Sequence, residues 1–287
     1  MKIRIGTRKS KLALAQTELV KNALIKSFPD IETEIIHITT KGDKILEKPL
    51  MEIGGKGVFI TEIEQALIEN KIDIAVHSAK DLPVKIADSL EIAGVLKRGD
   101  FRDCLITRTG EKFIDSKKMI IGTGSMRRRM FLKNLYSEVS FSDIRGNIDT
   151  RIKKLMNGEY DGIVLAMSGL ERLEIKSDDK IQIRPFASEN FLPAPCQAII
   201  AVECRKNDII SEYIKKINDV CTYYAFETER FIVEKINADC GIPLGAYAEI
   251  SGEEINLSLS VNSGKIISGT DKITSRFGLA ERLMKKF

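Results

Sequence analysis

The chain has 287 residues, enough for two or three compact units at roughly 100–200 residues each. With 43% hydrophobic and 30% charged residues, it is excluded from wholesale disorder, collagen-like and low-complexity architectures. A net charge of +4, from 45 Lys plus Arg against 41 Asp plus Glu, is not the footprint of a dedicated nucleic-acid binder. Any anionic partner must be met by local clusters of basic residues.

No apolar run approaches the roughly 18–20 residues needed to span a bilayer, so no membrane partner is expected. MKIRIGTRKS enters folded-looking sequence directly, so no signal or transit peptide is expected. Trp is absent and aromatics reach 6%, which leaves core packing to Ile, Leu, Val and Ala. Five cysteines (Cys104, Cys196, Cys204, Cys221, Cys240) lack CxxC spacing and suit a reducing cytoplasm.

The elements follow in chain order. KIRIGT at 2–7 alternates as a strand does, and Ser10 can cap a helix carrying Leu12, Leu19, Ala23 and Leu24, closed by Pro29 and Asp30. ETEIIHITT at 32–40 is β-branched and reads as a strand. After the glycine-rich GGKGVF at 54–59, Thr61 with Glu64 suggests a capping box for a helix to about Glu69. DIAVHSA at 73–79 carries the apolar run IAV, as in a parallel strand buried on both faces. These alternations are βαβ architecture.

The apolar pattern breaks at KRGDFRD, 97–103, and a second α/β run begins. It comprises strands at 103–107, 118–122, 139–142 and 160–166, with helices at about 125–136 and 147–156. Pro185, Pro193 and Pro195 mark its exit, and AIIAVEC at 198–204 reads as a buried strand returning to the first unit, with Cys204 in the core. A helix at 222–236, strands near 246–250, 254–261 and 265–269, and a C-terminal helix capped by Thr274 or Ser275 form an α+β module. That last helix carries Leu279, Leu283 and Phe287. Two α/β lobes joined by crossing segments place a cleft between them.

HSAKDLP at 77–83 follows a buried strand, so Lys80 and Asp81 emerge at its carboxyl end, where open α/β sheets form their ligand crevice. An Asp beside a Lys can stay ionised near neutrality and serve as proton carrier or carbocation stabiliser. The alternative is a simple turn before Pro83. Arg127 and Arg128 follow GTGS at a strand-to-helix turn, where free N–H groups favour an anion. Arg145 precedes Gly146 at another helix start, Arg8 ends the first strand, and Arg151 and Arg172 lie in later helices. Any single Arg fits a solvated helix face, but their recurrence at successive strand ends favours carboxylate or phosphate binding.

GTGSMR is an incomplete dinucleotide fingerprint with Arg127 in place of the third glycine, and GGKGVF lacks Walker spacing. The latter reads as a loop whose glycines permit lid movement, or as a plain surface loop. Cys240 sits in NADCGIPLG, an irregular loop that can present a thiol to a cleft or bury it as a small hydrophobe. His37 and His77 both fall in strand-like segments, so cysteine–histidine metal sites and Ser–His–Asp triads find little support and no metal is expected.

RIGTRKSKLALAQ, TKGD at 40–43, GGKGVF, DIAVHSAKDLP, GTGSMRRR, RGNIDTR, NGEYDGIVLAMSGLERL and DCGIPLG occur in that order. From Ile3 to the end the chain resembles the porphobilinogen deaminase (hydroxymethylbilane synthase) family. The resemblance implies an α/β protein of two lobes like type II periplasmic-binding proteins plus a small α+β C-terminal domain. It divides the chain into 1–98 with 197–217, 99–196, and 218–287. It implies a monomeric cytoplasmic transferase of tetrapyrrole (porphyrin, haem) biosynthesis. Four porphobilinogen molecules are joined head to tail with loss of ammonia, and water releases linear hydroxymethylbilane.

The family's reaction runs on a dipyrromethane cofactor held by a thioether, which here falls on Cys240. The family's catalytic aspartate falls on Asp81, with Lys80 beside it. Its carboxylate-binding residues fall on Arg8, Ser10, Thr123, Ser125, Arg127, Arg128, Arg145, Arg151 and Arg172, and its active-site loop holds Lys56 and Phe59. The chain departs from the family pattern at Gly124, often Ser. Further departures are Cys196 and Ala198, where glycines flank the glutamine, and Ala238 and Asp239 before Cys240. Cys196 is thereby a second candidate thiol near the cleft. A non-catalytic polyanion binder would need neither the loop cysteine nor a third domain. A phosphoribosyl-type transferase would show a phosphate loop and a magnesium site.

Overall fold

Alternation along the first strand decides where the first core forms. Ile3 and Ile5 are fully buried in β1 (Lys2–Thr7), and Ser10 then caps α1 (Lys11–Ser27) by accepting from the Ala13 amide at 3.2 Å. A computed structural model of the chain describes residues 1–40, 60–110, 119–136, 138–237 and 241–287. Its first sheet adds β2 (Glu32–His37), β3 (Ile74–Ser78), β4 (Leu90–Val95) and β10 (Ile200–Arg205), in the order β2-β1-β3-β10-β4. β1 pairs parallel with β2 and β3, whereas β10 runs antiparallel to β3 and β4.

β3 is therefore parallel on one edge only. Its burial on both faces comes from packing partners. Val20 and Leu24 of α1 and Ile210 and Ile214 of α6 (Ile210–Ile217) cover Ile74 and Val76, while Ile63 and Leu67 of α2 (Thr61–Ile68) cover Ala75. The α1 face differs from the expected one. Gln16, Thr17, Val20 and Leu24 are buried and Leu19 is exposed, because the sheet meets the helix along the i, i+4, i+8 stripe. α2 starts at Thr61 itself, with Ile60 at the cap position and no capping side chain. The expected capping box is not formed, and Glu64 instead accepts from the Ala87 amide.

The second sheet repeats the scheme with β5 (Asp103–Arg108), β6 (Met119–Gly122), β7 (Val139–Ser142), β8 (Gly162–Ala166) and β9 (Ile181–Pro185), ordered β7-β6-β8-β5-β9. β6 pairs parallel with β7 and β8, and β5 is antiparallel to both its neighbours. In each sheet the antiparallel fourth strand is the one next to a crossing between lobes, the pattern of type II periplasmic-binding proteins. α3 (Met126–Leu135), α4 (Ile148–Met156) and α5 (Met167–Arg172) belong to this lobe. β4, β9 and α6 had no distinct sequence expectation, being short and flanked by weak turn signals.

The third sheet is the antiparallel meander β11 (Leu244–Ser251), β12 (Glu254–Val261) and β13 (Ile267–Lys272). α7 (Val220–Ile236) and α8 (Arg276–Met284) bury Ile232, Val233, Leu279 and Leu283 against Ala246, Leu257 and Leu259. Gly245 lies where any Cβ would come within 2.9 Å of Leu192 Cβ, so this sheet can approach the second lobe closely at a glycine.

The three sheets meet at Arg98. Its guanidinium donates to both carboxylate oxygens of fully buried Glu229 at 2.6 and 3.2 Å, and to the Gln197 carbonyl at 2.9 Å. Glu229 also accepts from the amides of Ala248, at 2.7 Å, and Cys196. Tyr247 stacks on Phe101 with centroids 3.8 Å apart, and the Arg98 guanidinium lies 4.8 Å from the Tyr247 ring. Removing one member of such a pair leaves a buried charge uncompensated. Glu229→Gln is expected to lower the unfolding free energy by about 3–5 kcal/mol, measured by denaturant titration with the mid-point slope unchanged.

Candidate active site

The carboxyl ends of β1, β3 and β8 open into a cleft between the first two sheets, with a cavity of about 430 Å³, a size suited to a small-molecule ligand. Arg8, Lys9, Ser10 and Lys11 line it after β1, Ser78, Lys80 and Asp81 after β3, and Gly146, Asp149 and Arg151 at the start of α4. Arg128, Ser168, Gly169 and Arg172 close the second-lobe side. Lys11 and Asp149 form a 2.6 Å ion pair from one lobe to the other, and Gln16 donates to Ser78 Oγ at 2.8 Å within the wall. Gly146, at φ +107°, makes the left-handed turn that starts α4 and accepts from Arg151 Nε at 2.8 Å.

Asp81 ends a one-turn 3-10 helix, Ala79–Asp81, so its exposed carboxylate projects into the cleft. Among the described residues it has no hydrogen bond or ion pair. Just beyond it, Arg230 of α7 donates to the carbonyls of Pro83 and Val84 at 2.5 and 2.6 Å, tying this turn to the third unit. Burial pushes the Lys80 ammonium down to about 8. Asp81 opposes that shift, Arg128 and Arg127 reinforce it, and Asp103 also opposes it.

The arginines divide into two groups. Arg127 and Arg128 are buried on Asp103, each with a 2.7 Å contact to its carboxylate; Arg127 also donates to the Leu192 carbonyl and Arg128 to that of Val164. Arg127 does not line the cleft, so the structure gives it a tethering position in place of the expected ligand-facing one. Desolvation is the reason. Two guanidiniums and a carboxylate at this depth stabilise one another, and Asp103 is held well below the usual carboxylate range by that pair despite its own burial.

Arg151 and Arg172 are different. Burial lowers both guanidiniums to about 10, and among the described residues neither pairs with a carboxylate. Arg151 is lowered further by Arg128 and Arg145, with Asp81 opposing, and Arg172 donates to the Ala198 carbonyl at 2.6 Å. Half-buried cations with no paired carboxylate among the described residues keep charge-assisted hydrogen-bonding capacity to spare.

Thr123, Ser125 and Arg145 do not line the cavity either. Ser125 caps α3 and accepts from the Arg128 amide at 3.4 Å, and Thr123 Oγ1 accepts from the Ser125 amide at 3.2 Å. Arg145 adjoins the cleft through Gly146. Cys196 is buried, its thiol against the Phe226 carbonyl at 3.8 Å; it is a core thiol, not a cleft thiol. Cys204 is core as expected. Lys56, Phe59 and Cys240, and with them the GGKGVF loop, lie outside the described residues. Among the described residues no cluster of metal-ligating side chains occurs. Gln16 and Ser78 lie inside the motifs RIGTRKSKLALAQ and HSAKDLP, which give them no role, and the contacts of Asp103 and Gln197 carry no local signal.

A larger groove of about 720 Å³ lies elsewhere, sharing Arg172 with the cleft. Its Lys97 and Lys216 are balanced by Glu171, Glu174 and Asp219. Arg151, Lys80 and Asp81 lie in the cleft and not in this groove.

A two-lobed α/β protein with a cationic cleft at the carboxyl ends of its strands is the class these features define. The sequence matches the family described as "Porphobilinogen deaminase, dipyromethane cofactor binding domain" over residues 3–212. It is 46% identical over 248 residues to the probable porphobilinogen deaminase of Picrophilus torridus, covering 86% of each chain. It is 42% identical over 270 residues to the porphobilinogen deaminase of Streptococcus sanguinis, covering 92% of this chain and 88% of that one. The periplasmic VFT2 domain of Bordetella pertussis BvgS superposes with a TM-score of 0.44 at 13% identity, covering 76% of this chain and 86% of that one. The fold assignment rests on strand order and not on that superposition. The chain belongs to the porphobilinogen deaminase family.

Asp103→Asn tests the arginine anchor. A carboxylate with a depressed folded pKa contributes stability that is full above the unfolded value near 4 and is lost as pH falls toward the folded one. The variant is expected to be about 3–5 kcal/mol less stable than the parent at pH 7. The gap should narrow below about pH 4, as read from unfolding free energies at a series of pH values.

Proposed function

We propose that the cleft carries out the family's polymerisation of porphobilinogen, with Asp81 as its central catalytic group. The supporting observation is the pair of half-buried guanidiniums of Arg151 and Arg172, neither paired with a carboxylate among the described residues, in the same cleft as Asp81 and Lys80. Each porphobilinogen brings an acetate and a propionate. The dipyrromethane's two rings carry four such groups, and the cationic wall of Arg8, Lys9, Lys11, Arg128, Arg151 and Arg172 suits that charge. When bound through Cys240, the dipyrromethane supplies the tether and the first nucleophilic pyrrole carbon.

Each addition breaks the aminomethyl C–N bond of porphobilinogen, releases ammonia, forms a C–C bond and frees one ring proton. The Asp81 carboxylate stabilises the methylene-pyrrole cation left as ammonia departs and accepts from its pyrrole N–H. The same carboxylate moves protons at the leaving amine and at the attacked ring carbon in turn. Lys80 keeps a positive charge beside it. Arg8, Ser10, Thr123, Ser125, Arg128, Arg145, Arg151 and Arg172 orient carboxylates, directly or by shaping the turns around them, while Arg127 anchors Arg128 through Asp103. Water then takes the place of the tether and releases hydroxymethylbilane.

The working units in this reading are 1–98 with 197–217, 99–196, and 218–287, acting as a cytoplasmic monomer without a nucleic-acid partner. Among the described residues no helix is long and apolar enough to cross a membrane.

The intact mass of the purified protein should exceed the sequence mass by one dipyrromethane, and Cys240→Ser should remove the excess; an unmodified, fully active parent would overturn the assignment. Asp81→Asn is expected to keep the mass excess while turnover falls about 10²–10⁴-fold, and near-normal turnover would remove Asp81 from its role. For Arg151→Ala, kcat/KM for porphobilinogen should fall about 10–100-fold in steady-state assays, the loss of one charge-assisted contact.

A further inference from the structure

We infer that Gln197 is a positioning residue for Lys80, holding its ammonium in place beside Asp81 from the hinge between the two lobes. The inference rests on the reading that Lys80 and Asp81 belong to the reaction site.

The backbone comes first. Gln197 sits between two non-glycine residues in the left-handed region, Cys196 at φ +61° and Ala198 at φ +70°. Each costs on the order of 1 kcal/mol or more and persists only where the surroundings over-determine it. They do so here. The Cys196 amide donates to Glu229, the Gln197 amide to the Ala194 carbonyl at 3.0 Å, and the Ile199 amide to the Cys196 carbonyl at 3.3 Å. Arg172 holds the Ala198 carbonyl and Arg98 holds the Gln197 carbonyl. This turn drives the Gln197 side chain inward until it is fully buried.

The side-chain amide then has one orientation. Its nitrogen carries two hydrogens, and both are engaged, to the Phe101 carbonyl at 2.9 Å and to Asp103 Oδ1 at 3.0 Å. Asp103 is held ionised by Arg127 and Arg128, so it cannot donate and the amide cannot flip. The amide oxygen is thus fixed as an acceptor, and Lys80 Nζ donates to it at 3.4 Å. A buried ammonium needs an acceptor both to stay charged and to stay in place. Phe101 and Asp103 stand at the start of the second sheet and Lys80 at the end of β3 in the first. Gln197 therefore sets the position of a first-lobe cation from a second-lobe anchor.

The test uses the full chain with its cofactor attached. Gln197→Met keeps length and removes donors and acceptor; Gln197→Glu keeps an acceptor and adds negative charge. Trace acetylation of Lys80 against pH, read by peptide mass, gives the titration midpoint of the ammonium independently of turnover. It is expected about one unit lower than the parent in Gln197→Met and higher than the parent in Gln197→Glu, opposite signs that simple loosening of the turn would not produce. In turnover assays Gln197→Met should lower kcat about tenfold with KM within about twofold. In a Lys80→Met background it should add less than a twofold effect.

Midpoints that do not move, or kcat losses that multiply in the double variant, overturn the inference. Should Gln197→Met fail to fold, the upward shift in Gln197→Glu decides alone. A fully active Lys80→Met would instead sink the role given to Lys80, while the acetylation midpoints would still report whether Gln197 holds the ammonium.

Discussion

Two guanidiniums and one amide converge on the carboxylate of Asp103, at 2.7 Å from Arg127, 2.7 Å from Arg128 and 3.0 Å from Gln197. None of the three charged groups could be buried singly without a penalty of several kcal/mol. As a set they are stable, and each carries a further tie. Arg127 fixes the Leu192 carbonyl in the returning segment, where Leu192 itself packs on Gly245 of the third sheet. Arg128 fixes Val164 in β8 and still reaches the cleft wall. The second sheet, the hinge turn and the floor of the site depend on this one compensated charge.

The cleft's electrostatics follow from which charges are compensated by carboxylates among the described residues and which are not. Arg98 has the buried carboxylate of Glu229, and Arg127 and Arg128 share that of Asp103. Arg151 and Arg172 have backbone carbonyls and the open cleft. A near-balanced total charge hides this division completely, because a count of Lys and Arg cannot distinguish a guanidinium neutralised at 2.7 Å from one that awaits a carboxylate. Ligand binding in such a cleft completes a charge balance that the fold leaves open.

Much of the architecture was legible. Alternation identified β1, the cap at Ser10 marked one helix start, and the apolar run AIIAVEC gave a strand that does return to the first sheet. The reading slipped where context outweighs pattern. Leu19 looked like part of a buried helix face and is exposed, and Thr61 with Glu64 looked like a capping box while Glu64 turns to the Ala87 amide. HSAKDLP put Lys80 and Asp81 at a strand end, and both line the cleft, because a strand-end turn is a local feature. Gln197 stayed invisible as a functional residue, since its partners lie 94 to 117 positions away.

The sequence by itself determined the α/β lobes, the small α+β unit, the order of motifs that marks the family and the residues eligible for the cleft. These are matters of short-range periodicity, turn chemistry and residue type, all of which act within a few positions. Only the tertiary structure decided that Arg127 is an anchor, that Cys196 is core, that Arg151 and Arg172 meet no carboxylate among the described residues, and that Gln197 presents its oxygen to Lys80. Charge pairing and amide orientation are set by which groups lose water together, and that is fixed when segments far apart in the chain are packed against one another.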